Sequence, residues 1–264
     1  MSTHPSRIKS TLIFGGAAIW GLLLVSCVMT SRTMVAPPSI PGATFVGSSK
    51  CTQCHEDVSH TFAGASHAKL IAPGGKDQEM GCESCHGAGS LHVKTGGAFG
   101  TIVNPNQSPE TCFACHLDKR AEFSLPNAHP VMSGKVTCGD CHDSHSGSAI
   151  KGSASAIEAQ NDSCVKCHTQ QKGPFIYEHG AMREGCVSCH NPHGSVNQKM
   201  LVARDYNLCL QCHLQTPTAS GQINANAIGA SAANHTTRAM QGTCWAAGCH
   251  EAPHGSNTSY HLRY

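Results

Sequence analysis

The stretch that decides the fold is CVKCHTQQKGPFIYEHGAMREGCVSCHNPHGS, residues 164–195. It holds two CxxCH motifs, at 164–168 and 186–190, with His179 between them and His193 three residues after the second. In a CxxCH motif the two thiols add to the vinyl groups of a haem, and the histidine takes one axial position on the iron. The stretch therefore predicts two c-type haems and two further histidines.

The same unit recurs along the chain. CxxCH motifs occupy 51–55, 82–86, 112–116, 138–142, 164–168, 186–190 and 209–213, and CWAAGCH at 244–250 has four residues between its thiols. The sequence thus predicts eight covalently bound c-type haems, attached at Cys51, Cys54, Cys82, Cys85, Cys112, Cys115, Cys138, Cys141, Cys164, Cys167, Cys186, Cys189, Cys209, Cys212, Cys244 and Cys249. The predicted proximal iron ligands are His55, His86, His116, His142, His168, His190, His213 and His250.

Two other uses of cysteine have to be weighed. Zinc sites and redox motifs also use CxxC, and exported chains often hold cysteines in disulfides. Neither use explains why a histidine follows the second thiol in every motif. The recurring histidine favours haem.

Spare histidines fall in register with the motifs and define four di-haem modules, about residues 51–92, 112–147, 164–195 and 209–256. The predicted distal ligands are His67, His92, His129, His145, His179, His193, His235 and His254. His60 and His261 lie outside the register and are expected to be solvated. Methionines precede the second motif of each module, and we expect them to pack against porphyrin because the histidines suffice as ligands.

Chain length limits which iron each spare histidine can reach. Two histidines on opposite faces of one iron have Cα atoms about 13 Å apart, whereas three extended residues span at most about 11 Å. His193 therefore cannot share an iron with His190, nor His145 with His142. Each must cross to another haem, which predicts closely spaced haems. His86 and His92 are six residues apart, so this exclusion does not apply to them.

The first residues predict export. Arg7 and Lys9 precede an uncharged segment that is too short for a comfortable membrane span, so residues 1–26 read as a signal peptide. The end of this segment, LVSC, resembles a bacterial lipobox, which implies lipidation of Cys27; a signal peptide without lipid, or an uncleaved anchor, is the alternative. Residues 27–50 are rich in Pro, Ser and Gly and predict a flexible tether.

Composition bears on the fold of residues 51–264. Aromatic residues make up 5% of the chain, charged residues 13%, and no long apolar periodicity is present, so the polypeptide alone would bury a poor core. We predict a mostly irregular fold with short α-helices, wrapped around a row of eight haems. The formal net charge is +2, and haem propionates would make the mature protein acidic, which favours basic partner surfaces and excludes nucleic acid.

The modules CxxCH…H…CxxCHxxHGS, together with CESCHGAGSLH and CVSCHNPHGS, resemble the MtrA/DmsE family of periplasmic multihaem cytochromes from metal- and sulfoxide-respiring bacteria. The resemblance covers about residues 51–256. With fewer motifs than the best-known members, the chain is most similar to octahaem, porin-associated cytochromes of the OmaB type. The resemblance implies a periplasmic protein at the outer membrane, with a β-barrel porin and a surface multihaem cytochrome as partners and periplasmic or inner-membrane cytochromes as electron donors.

Two other functions stay open at this point. A multihaem reductase for nitrite, hydroxylamine or tetrathionate would need an open iron position or a motif such as CxxCK, and the sequence contains no CxxCK. A subunit of an extracellular cytochrome filament would need haems exposed at both ends. The ligand supply favours an electron carrier over an enzyme.

Overall fold

A computed structural model of the chain describes residues 38–69, 81–146, 156–213, 244–245 and 249–264. They belong to one compact unit, Val35–Tyr264. The signal segment and the predictions for Cys27 and His235 lie outside the described residues. No helix in the described ranges is long and apolar enough to cross a membrane.

The predicted fold class is confirmed: the described chain is mostly irregular, with short helices and little strand. The α-helices are α1 (Ser48–Thr52), α2 (Glu56–Phe62), α3 (Cys82–His86), α4 (Ser90–Lys94), α5 (Glu110–Phe113), α6 (Leu117–Phe123), α7 (Cys138–Cys141), α8 (Ala156–Val165) and α9 (Tyr206–Cys209). Single 3-10 turns cover Ser66–Lys69, Thr169–Gln171, Gly180–Glu184, Cys186–Ser188 and Gln198–Met200. Strands β1 (Tyr177–Glu178) and β2 (Gly255–Ser256) pair antiparallel.

Each attachment motif folds as one closed turn. In the CxxCH motifs the histidine N–H donates to the carbonyl of the first cysteine, at 2.9 Å from His55 to Cys51 and 3.0 Å from His168 to Cys164. The longer CWAAGCH motif closes with the same hydrogen bond, His250 N–H to Cys244 carbonyl at 3.0 Å. The two additional residues therefore enlarge the loop without changing how the histidine is tied to the first thiol.

The core that the polypeptide forms by itself is small. Its buried apolar side chains are mainly alanines, and the larger ones include Phe113 and Val131, each 2% exposed, with Val103 and Leu201. Such a core is less than a domain of this length normally buries. The elements therefore depend on contacts other than apolar side-chain packing.

Residues 38–50 are tied to module one by hydrogen bonds. The buried carboxylate of Glu83, inside the second attachment motif, accepts hydrogen bonds from the backbone N–H groups of Val46 at 3.0 Å, Gly47 at 2.9 Å and Gly89 at 2.8 Å. The backbone N–H of Thr44 also donates to the Ser90 hydroxyl at 2.8 Å, and the backbone N–H of Ser90 donates to the Thr44 carbonyl at 3.1 Å. One buried acid thus fixes this segment to module one, a contact that local composition cannot indicate.

The HGS sequences after two attachment motifs dock one module onto the preceding one. Ser195 forms an antiparallel bridge with Asn127, and Ser256 in β2 pairs with Tyr177 in β1. A Cβ atom on Gly194 would collide with the backbone carbonyl of Glu122, and one on Gly255 would collide with the ring of Phe175. Glycine is needed at both positions because the neighbouring module approaches the backbone directly.

Replacing Gly194 with Ala should lower the free energy of unfolding by about 1–3 kcal/mol, because the added methyl group meets a backbone carbonyl that cannot move aside. Denaturant unfolding of the haem-loaded protein measures this change. Gly180→Ala is the matched control, since no atom lies within 4 Å of the added carbon there, and it should stay within about 0.5 kcal/mol of wild type. Equal effects of the two substitutions would contradict the close docking.

Candidate haem-binding sites

The structure brings the predicted histidines together in pairs. Each pair joins the histidine of an attachment motif to one spare histidine, with ring centroids 6.1–6.4 Å apart. The pairs are His55 with His92, His116 with His67, His86 with His145, His168 with His129, His142 with His193, His213 with His179, and His190 with His254.

This spacing fits a metal ion held between two imidazoles. An iron bound about 2 Å from each ring nitrogen separates the ring centroids by roughly 6 Å. Direct stacking of rings would be closer, as for Tyr260 and His261 at 3.8 Å. No group of three or more His, Cys, Asp or Glu side chains that could hold a metal ion occurs within the described ranges. Paired imidazoles at this distance match the two axial positions of haem iron.

The pairing links successive modules by a rule. The histidine in the middle of one module faces the first motif of the next, as His129 faces His168 and His179 faces His213. The histidine after the second motif faces the second motif of the preceding module, where His145 faces His86. In the first module, His92 faces His55 of the same module. The sequence alone leaves His86, six residues before His92, open as its partner.

The structure agrees with the two pairings that chain length excludes. His193 faces His142 in the preceding module and His145 faces His86, so neither lies opposite its sequence neighbour. His60 is exposed on α2, and the ring of His261 packs on Tyr260, so neither faces a described proximal imidazole. His235 lies outside the described residues, and it remains the predicted partner of His250.

The spare imidazoles are oriented through Nδ1. His129 Nδ1–H donates to the carbonyl of Pro192 at 2.6 Å, and His179 Nδ1–H donates to the carbonyl of Pro253 at 2.8 Å. In each case the acceptor belongs to the following module. A hydrogen bond at Nδ1 fixes the tautomer and leaves Nε2 free as a metal ligand.

Several proximal imidazoles are oriented in the same way. His86 donates to the carbonyl of Val103 at 3.0 Å and His190 to that of Lys199 at 2.8 Å. In the CWAAGCH motif, His250 donates to the carbonyl of His261 at 2.7 Å. His261, which sequence analysis left as a solvated residue, therefore contributes its backbone rather than its ring.

Burial keeps these rings neutral. Desolvation lowers the pKa of five paired histidines, one from an attachment motif and four spare ones. They are His86, His67, His179, His193 and His254. A neutral imidazole has the lone pair that a metal ion needs, whereas an imidazolium does not. The lowered pKa of these five histidines therefore favours their ligand form at neutral pH before any metal binds.

The cysteines pair within each module. The first thiol of the first motif hydrogen-bonds the first thiol of the second motif, in the pairs Cys51 with Cys82, Cys112 with Cys138, Cys164 with Cys186, and Cys209 with Cys244. The hydrogen bond lowers the pKa of Cys82 to about 6 and that of Cys138 to about 7, and it raises the pKa of the partner thiol. The two attachment sites of one module therefore touch.

Attachment sites of successive modules are also neighbours. Burial raises the pKa of the Cys85 thiol, and the nearby Cys115 thiolate raises it further. Burial, followed by the charges of Asp140 and Cys167, raises the pKa of the Cys141 thiol. The hydrogen bond to Cys244 is the main cause of the raised pKa of Cys209, and the charge of Cys189 adds a smaller contribution. All described cysteines are free thiols, available for thioether bonds. The attachment sites thus follow one another in space in the order of the sequence.

Polar residues that sequence analysis missed hold the motifs in place. Asn161 on α8 accepts a hydrogen bond from the backbone N–H of Cys186 at 3.0 Å and donates to the carbonyl of Met182 at 3.2 Å. Glu122 on α6 accepts from His193 Nδ1–H at 3.0 Å. Each lies outside the motifs, and a single Asn or Glu has no spacing that would have singled it out.

Comparisons with known proteins agree with the site. The family described as "Doubled CXXCH motif" matches residues 129–173 and 179–217. The chain is 33% identical over 210 residues to the multiheme cytochrome MtrA of Shewanella baltica, an alignment that covers 79% of this chain and 57% of the relative. It is also 26% identical over 213 residues to the C-type polyheme cytochrome OmcB of Geobacter sulfurreducens, covering 74% of this chain and 26% of that protein.

The axial histidine pairs, the free thiols beside them and the doubled motif define a multihaem c-type cytochrome, with haem bound covalently through its cysteines. The chain resembles the MtrA family of these proteins over most of its length. It spans little more than half the length of the Shewanella relative and about a quarter of the Geobacter one.

Replacing His254 with Ala removes the imidazole that faces His190. One haem iron should then lose an axial ligand and change from low spin to high spin. Electron paramagnetic resonance of the oxidised protein measures the change. The high-spin signal should persist when Cys244 and Cys249 are also replaced with Ser to remove the eighth haem, since the affected haem would be attached at Cys186 and Cys189. Loss of the signal in that background would assign His254 to the eighth haem instead.

His261→Ala is the control for this substitution. Its ring faces no described proximal histidine, and its backbone carbonyl survives the change. The variant should stay low spin at every iron. A high-spin signal in His261→Ala would mean that this ring, not only the backbone, supports a site.

Proposed function

We propose that the chain is an electron carrier in which eight c-type haems, each with two histidine ligands, form one continuous row. The observation that carries this proposal is the set of paired imidazoles, one from an attachment motif and one from another segment, at the spacing of two axial ligands. Two strong axial nitrogens per iron leave no position for a substrate. This ligation suits electron transfer better than catalysis.

The order of the attachment sites supports a row. Thiols meet first within a module, as Cys112 meets Cys138, and then between modules, as Cys141 neighbours Cys167. Bound haem supplies reversible one-electron chemistry at each site. The chain itself contributes by holding the attachment points close together and by supplying each axial ligand from a different segment.

The eighth site rests on the closed turn of CWAAGCH. The hydrogen bond from His250 to Cys244 and the contact of Cys244 with Cys209 repeat the arrangement of the other second motifs. His235 would supply the remaining axial ligand. The eight haems together would require all sixteen motif cysteines.

The place of this relay is proposed from similarity. The match to the multiheme cytochrome MtrA supports a periplasmic site at the outer membrane, with a β-barrel porin, a surface multihaem cytochrome and periplasmic donors as partners. Cys27 would carry a lipid that holds the chain at that membrane. In this arrangement the row of haems would pass electrons across the outer membrane toward an extracellular acceptor such as a metal oxide.

The oxidised protein should contain eight haems, all low spin. Intact mass gives the number of haems, and electron paramagnetic resonance gives the spin state. The pairs with nearly parallel ring planes, such as His179 and His213 at 13°, should give rhombic signals, while the steep pair of His67 and His116 at 75° should give a more anisotropic one.

A high-spin ferric signal near neutral pH, or binding of cyanide or nitrite at one iron, would replace the carrier with a multihaem reductase. A mass that corresponds to seven haems, with the same number of haems in the Cys249→Ser variant, would show that the eighth site carries no haem. His60→Ala serves as the control for histidine replacement, because His60 faces no described motif histidine.

Solubilised outer membranes should yield the chain together with a β-barrel protein and a second haem protein. Cys27→Ala should release the chain from the membrane fraction after cell lysis if the barrel contact alone is weak, and its mass should lack the lipid. Affinity capture followed by haem staining and mass spectrometry measures both. Capture of the chain alone from wild-type membranes would contradict the conduit and leave the electron carrier standing.

A further inference from the structure

His193 differs from the other distal histidines with a described Nδ1 partner in the charge of that partner. His193 Nδ1–H donates to Oε2 of Glu122 at 3.0 Å. Both side chains are about three-quarters buried, with 25% and 27% of their surface exposed. The other oxygen of Glu122 is held by Lys119 Nζ at 2.7 Å, and the ring of Phe123 packs edge-on against His193.

The remaining imidazoles with a described Nδ1 partner donate to neutral acceptors. His129 and His179 donate to proline carbonyls, and His92 lies 3.3 Å from the hydroxyl of Thr101. A carboxylate acceptor draws the Nδ1 proton more strongly than a carbonyl does and makes Nε2 a stronger donor to the metal. The partially buried carboxylate also adds a negative charge close to the iron position.

We infer that Glu122 is a positioning residue that lowers the reduction potential of the haem attached at Cys138 and Cys141. This inference rests on the proposed function, in which His142 and His193 are the two axial ligands of that haem. A stronger axial donor and a nearby negative charge both stabilise the ferric state relative to the ferrous state, which carries one positive charge less. Both contributions therefore act in the same direction.

The neighbouring site lacks such support. His67 faces His116 of the motif at 112–116, which precedes the motif at 138–142. The buried Nδ1 of His67 has no hydrogen-bond partner among the described residues. The two sites touch through Cys112 and Cys138. Glu122 would therefore lower the potential of one of two adjacent haems without a matching contact at the other, which would make electron transfer from the His67 site to the His193 site less favourable.

Protein-film voltammetry of the haem-loaded protein tests the inference. Glu122→Gln should move a one-electron component of the wave to higher potential, and Lys119→Gln, which removes the counter-charge from Glu122, should move the same component to lower potential. A residue with a merely structural role would not give shifts of opposite sign. The lysine variant also keeps the test decisive if Glu122→Gln fails to fold.

Asp118→Asn is the matched control. Asp118 lies on the same helix and contacts the same lysine at 3.3 Å, and its side chain is 67% exposed. Its voltammogram should match that of wild type, since exposed charges are screened. Equal shifts in Asp118→Asn and Glu122→Gln would replace the specific contact with a general effect of surface charge.

His193→Ala separates this inference from the proposed function. The variant should show one high-spin iron if His193 is an axial ligand. If every iron stays low spin, the proposed pairing fails. If one iron becomes high spin but neither charge variant moves the wave, the pairing stands and the role of Glu122 is wrong.

Discussion

Two imidazoles that face each other across about 6 Å are the contact on which the rest of this structure depends. In the part of the chain that the structure describes, few large apolar side chains are buried and the helices are at most ten residues long. The histidine pairs connect the segments of the chain, because one member of each pair comes from an attachment motif and the other comes from a distant part of the chain. Because most pairs join successive modules, the proposed iron ligation would reinforce the contacts between modules.

The hydrogen bonds around the histidines extend that constraint to the backbone. The sequence Pro-His-Gly-Ser at 192–195 offers a carbonyl to His129, an imidazole to face His142, a glycine against Glu122 and a serine that bridges to Asn127. The copy at 253–256 offers the same carbonyl to His179 and the same strand pairing. Four consecutive residues therefore dock a module, orient one ligand and supply another.

The sequence alone predicts much of this site and little of its connections. Recurring CxxCH motifs identify the thiols and proximal histidines because the chemistry needs them side by side. Chain reach excludes His190 as the partner of His193, yet it cannot select His142, because that choice depends on how modules pack. Glu83, Asn161 and Glu122 act through long-range contacts with no periodicity, so composition cannot indicate the hydrogen bonds that Val46 and Gly47 donate to Glu83.

The interlocked pairs also set an order for maturation. In the proposed row, a chain that emerges from its N-terminal end would present His86 before His145 and His190 before His254. A haem at the second motif of a module would therefore lack its distal histidine until the next module had emerged, whereas a haem at a first motif, such as that of His168, would find His129 already present. An interrupted chain would thus leave an open iron position at the second motif of its last module rather than throughout its length.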